Sequence, residues 1–81
     1  MPTVFRKGPY RFYFFSHEPN EPVHIHVDRD KSSAKFWIDP VCLARNVGFS
    51  SVELNKIQKI VKEHEKQIRE AWNGYFGTSI R

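Results

Sequence analysis

Cysteine is almost missing from this chain. Cys42 stands alone, so no intramolecular disulfide and no Cys-based zinc cage can form, which fits a reducing interior better than a secreted scaffold. Leucine is nearly as scarce, with only Leu43 and Leu54, whereas seven Phe, three Tyr and two Trp supply most of the apolar area. That bias favours strands over bundled helices. No apolar run is long enough to span a bilayer, and Met1 to Lys7 lacks the core of a signal peptide, so a soluble cytoplasmic protein with no membrane association is expected. Glycine-rich phosphate loops, a Ser-His-Asp order and paired-carboxylate motifs are all absent. The 81 residues leave room for one domain spanning 1–81 and rule out a two-domain enzyme. Thirteen Lys and Arg against nine acids give a formal charge of +4 and a pI near 9.5, a balance that assists approach to a polyanion or an acidic protein.

The first half of the chain alternates at period two between turn residues. Strands are expected at about 3–7, 10–16, 23–28 and 34–38, separated by the turn Lys7-Gly8-Pro9, the proline loop His17 to Pro22 and the charged turn Arg29 to Ser33. Short links between four strands imply an antiparallel meander. Asp39-Pro40 then changes the pattern, since Asp is a preferred N-cap and Pro a preferred first helical residue, and a short helix over about 40–46 is expected. Ser50-Ser51-Val52-Glu53 has capping-box spacing, with Phe49 and Leu54 placed as a hydrophobic staple. Beyond it Leu54, Ile57, Val61, His64, Ile68, Ala71 and Trp72 recur at three- and four-residue steps, which predicts one amphipathic helix over about 51–73. It should stop near Asn73-Gly74, with Tyr75-Phe76-Gly77 folding back. The fold class is α+β: a four-stranded antiparallel sheet with the long helix on one face, the short helix at an edge and the other face bare.

Strand parity turns Phe12, Phe14, Ile25, Val27, Phe36 and Ile38 towards the helix, with Val4 beside them. It places Phe5, Arg11, Tyr13, Phe15, His24, His26, Asp28, Lys35 and Trp37 on the outer face. A slip of one residue in the second strand would swap Tyr13 and Phe15 inward. So aromatic and basic a surface marks a binding face. His24 and His26 lie on one side of one strand, roughly 6.5–7 Å apart along the chain. As a metal-independent ribonuclease pair they would serve as base and acid, with Arg11, Arg29 or Lys35 stabilising the phosphorane. As metal ligands they need a third group, for which His17 and Asp28 are the candidates. As plain structure they are polar partners of Asp28 and the aromatics. Arg11, Tyr13, Phe15, Arg29, Lys35 and Trp37 would equally suit stacked bases and phosphates, or a partner chain. His64, on the apolar stripe, is expected to bond to backbone or to a Tyr, and Glu18 and Glu21 could orient an imidazole. The Lys and Glu residues alternating along the long helix describe an ordinary salt-bridged solvent face.

Several segments together resemble one known family: Met1-Pro2-Thr3-Val4, Tyr10 to Phe15, Glu21 to Val27, Ala34 to Pro40, Leu43 to Asn46 and Trp72 to Phe76. The chain is similar, over nearly its whole length, to the small prokaryotic proteins grouped as domain of unknown function 4160. The resemblance implies a single-domain bacterial or phage protein encoded beside a second small protein of family 2442, in a layout of toxin–antitoxin type. It transfers no catalytic residue. The leading expectation is therefore a toxin-like member of a two-gene module that binds or cleaves RNA through the outer sheet face around His24 and His26. The second is a non-enzymatic interaction or homodimerisation module, and the third a His-based metal-binding regulator. No cofactor is expected.

Overall fold

The computed structural model describes residues 3–15 and 21–76. It is an α+β arrangement of five strands and two helices: β1 (Thr3–Lys7), β2 (Tyr10–Tyr13), β3 (His24–Arg29), β4 (Ser32–Ile38), β5 (Val41–Val47), α1 (Ser51–Glu63) and α2 (Glu65–Phe76). The strands form one antiparallel sheet in the order β1-β2-β3-β4-β5, each paired with its neighbour in sequence. Three of the links are two-residue turns. Gly8 at φ 57° and Asp30 at φ 55° supply the left-handed residues of the first two. The third is Asp39-Pro40, whose peptide bond is cis.

Three expectations are corrected here. The segment after Asp39-Pro40 is a strand, not a short helix. Seven residues gain too little from an isolated helix to offset its nucleation, whereas pairing with β4 satisfies that strand's otherwise open backbone. The long helix is divided at His64. Its Nδ1 lies 2.8 Å from the carbonyl of Ile60 and its ring stacks on Phe5 at 4.4 Å, so side chain and backbone compete for the same acceptor at the junction. Finally, α2 runs through Gly74 to Phe76. Phe76 packs 4.4 Å from Trp72 and 5.4 Å from Phe14, contacts that outweigh a glycine cost of about 1 kcal/mol.

Strand parity placed the core well. Phe12, Phe14, Ile25, Val27, Phe36 and Ile38 are all buried against Ile57, Val61, Ile68 and Trp72 of the helices. Phe5 departs from it, because Thr3 pairs with Tyr13 and Phe5 with Phe12, leaving Val4 as an extra residue that turns Phe5 inward. Phe5 then stacks on Phe12 at 4.4 Å. Ser50 caps α1 by accepting from Glu53 N–H at 3.1 Å. The Glu53 carboxylate does not return to the cap. It accepts from Tyr10 Oη at 2.8 Å and from Arg29 Nε and Nη2 at 2.6 and 3.0 Å, tying α1 to β2 and β3. Asn46 both donates to and accepts from the backbone of Phe49, fixing the path from β5 into α1. Among the described residues no helix is long and apolar enough to cross a membrane.

Candidate functional site

The outer sheet face is concave rather than flat. β2, β3, β4 and β5 together form the floor and walls of a groove of about 590 Å³ lined by Tyr13, Phe15, His26, Lys35, Trp37 and Arg45, with Glu21 at one side. The pairing register explains this convergence. Tyr13 faces His26, His26 faces Lys35 and Lys35 faces Arg45, so one cross-strand row carries four of the lining residues. His24 faces Trp37 one step along.

The two histidines occupy different environments. His24 is fully buried, its ring packed 5.0 Å from that of Trp72, 5.8 Å from Trp37 and 5.0 Å from His26. Its Nδ1 lies 2.9 Å from the carbonyl of Pro22, which assigns Nδ1 as the protonated nitrogen, and 3.7 Å from Glu21 Oε1. His26 is 9% exposed, stacks on Tyr13 at 5.4 Å and meets the edge of Phe15 at 4.6 Å. His26 therefore contributes an imidazole to the groove wall, while His24 supports that wall from beneath. On the outer face aromatic and imidazole rings pack on one another, and Tyr13 is only 5% exposed.

The cations are also sorted. Lys35 Nζ sits 4.5 Å above the Trp37 ring and donates to Glu21 Oε1 at 2.6 Å. Arg11 lies 4.5 Å above the Tyr13 ring and donates through Nε to Thr3 Oγ1. Arg45, exposed on β5, completes the groove. Arg29 is not brought to this face. It turns with Ile25 and Val27 to the helix side, where Glu53 holds it in a bidentate pair. Helix pairing raises the Arg29 guanidinium and holds the Glu53 carboxyl below its ordinary range, with the Arg29 hydrogen bond the leading cause and Tyr10 the next.

Tyr13 donates to both oxygens of Asp28 at 3.1 Å. Burial first, and the Asp28 charge second, push its phenol up to about 12. Asp28 is thus committed to a hydroxyl, and among the described residues no three His, Cys, Asp or Glu groups converge as a metal site. His17 and Glu18 lie outside the described residues.

Parity in the sequence found Tyr13, Phe15, His26, Lys35 and Trp37. It missed Arg45 and Val47 as groove residues because their strand was taken for a helix. The signal was present in the β-branched ends of Val41 to Val47 after a two-residue link. A family model described as "Domain of unknown function (DUF4160)" matches residues 10–73, which include every lining residue named above. No curated protein and no solved structure matches the chain.

Proposed function

The chain belongs to the family of domain of unknown function 4160, and we propose that it is a toxin-like component of a bacterial two-gene module that binds single-stranded RNA in the outer-face groove. Its counterpart would be the small protein of family 2442 type encoded alongside. One observation carries this reading: Trp37 is half-buried with the Lys35 ammonium 4.5 Å over its ring, in a groove shared with Phe15, His26 and Arg45. An aromatic face takes any base, contributing about 1–3 kcal/mol per stacked base, and an adjacent ammonium or guanidinium takes the phosphate. In the groove Glu21 accepts from Lys35, and a phosphate oxygen would replace it as the partner.

Binding is favoured over a two-histidine cleavage mechanism. A general acid must come within hydrogen-bonding reach of the leaving oxygen, and His24 has no accessible surface from which to do so. Proton transfer in the groove would fall to His26. Titration of a labelled oligoribonucleotide at low salt, read by anisotropy, tests the reading. Trp37→Ala and Lys35→Ala are each expected to weaken binding about tenfold, a loss within the stacking range above, with circular dichroism unchanged. Absence of binding by the unaltered protein at low salt removes the proposal.

The non-enzymatic interaction module remains the second reading, favoured by the exposure of β5 at one side of the sheet.

A further inference from the structure

β5 ends the sheet, and from Cys42 to Val47 every residue of it is exposed. Val41 packs against the core, but Leu43, on the helix side, is 41% exposed, and Val47, on the groove side, is 50% exposed, so beyond Val41 both faces of this strand are open to solvent. Along its open edge about half of the backbone N–H and C=O groups project away from β4, and among the described residues no further strand receives them. The opposite edge differs: β1 carries Arg6 and Lys7 within five residues, whereas β5 carries one charge in seven.

We propose that this edge accepts an acidic β-strand from a different polypeptide, which extends the sheet by one strand beside the groove. Charge selects the occupant. Arg45 is exposed, has Lys35 as its cross-strand neighbour and makes no ion pair among the described residues. β5 itself contains no acid, its other residues being Val, Cys, Leu, Ala and Asn. A second copy pairing through the same strand brings no carboxylate to Arg45 from that strand. Ala44 is an extra residue opposite β4, which is why Leu43 and Arg45 face opposite sides. A strand that alternates acidic and apolar residues and absorbs the same bulge places carboxylates on the groove side with Arg45 and apolar side chains on the helix side with Leu43. The inference rests on the open edge of β5 and shares only Arg45 with the RNA reading.

The probe is a capped seven-residue peptide, Thr-Glu-Val-Glu-Val-Glu-Thr, compared with its Lys-for-Glu counterpart and with a copy N-methylated at alternate amides. Amide shifts and hydrogen exchange of the uniformly labelled protein report where each binds. The acidic peptide is expected to shift and protect amides within Val41–Val47, the N-methylated copy to lose that effect, and the Lys peptide to show none. Arg45→Glu should reverse the preference, favouring the Lys peptide about tenfold. Equal response to both charge signs, or no protection of β5, overturns the proposal. So does self-association that protects β5 without peptide, which would assign the edge to a second copy. Trp37→Ala separates the two readings, since it should weaken RNA and leave the peptide shifts in place.

Discussion

At the scale of single residues, the outer face is organised by a phenol and a carboxylate as much as by its histidines. Tyr13 stacks on His26, lies under Arg11 and donates to both oxygens of Asp28, so removing its hydroxyl leaves a half-buried carboxylate without its donor. Tyr13→Phe should cost about 1 kcal/mol by urea unfolding at neutral pH. The pH dependence has a definite sign. A phenol raised from 10.0 to about 12 contributes stability that is complete below pH 10 and lost as pH climbs towards 12, because the folded state resists the ionisation that the unfolded state undergoes. The unaltered protein should therefore lose stability across that window, and Tyr13→Phe should lose less. Glu53 behaves in the opposite direction. Its carboxyl is lowered by Arg29 and Tyr10, so its contribution is present above the ordinary carboxylate range and lost on acidification. Glu53→Gln should lower the melting temperature at pH 7 and flatten its decline between pH 5 and pH 3, as scanning calorimetry at several pH values would show.

At the scale of elements, the links between them differ in sensitivity more than their exposure suggests. Gly48 links β5 to α1 at φ 95°, and a Cβ there would approach Ser32 Oγ to 2.8 Å. Gly8 in the first turn also has a positive φ, of 57°, but open space around it. Gly48→Ala should therefore destabilise by about 1–3 kcal/mol and Gly8→Ala by less, with equal urea m-values. These elements also show what the sequence made legible. β1 to β4 and their inward set were readable because alternation at period two is a local property of Phe12-Tyr13-Phe14 or Ile25-His26-Val27. Charge alone groups Arg29 with the groove cations, whereas parity places it with Val27 on the helix side, where it is found. Asp39-Pro40 was ambiguous because the same pair opens a helix or closes a hairpin, and the choice depends on β4 needing a partner. The inward turn of Phe5 depends on one extra residue in β1, and the burial of His24 depends on Trp72, which is 48 positions away. Neither is written in local spacing.

At the scale of the whole molecule, the charge of +4 is less informative than where it sits. Lys59 and Lys62 line the solvent side of α1, while Lys35 and Arg45 are cross-strand neighbours that line the groove side by side. Two paired substitutions lower the net charge equally and distinguish a specific groove from general attraction. Lys59→Gln with Lys62→Gln changes only the long-range field, which salt screens within a Debye length of about 10 Å at 0.1 M. Lys35→Gln with Arg45→Gln removes two groups that can touch phosphates, and it leaves Glu21 as an uncompensated anion beside the groove. With Arg11 as a third contact, a single-stranded ligand should show a slope of log K against log salt of about −2, since each phosphate neutralised contributes about −0.7. Raising salt from 50 to 200 mM should then weaken binding about 20-fold for the unaltered protein and for the helix variant alike. The groove variant should show a slope nearer −0.7. Equal slopes for the two variants would mean that the molecule meets RNA through its overall charge, and the groove would lose its assignment.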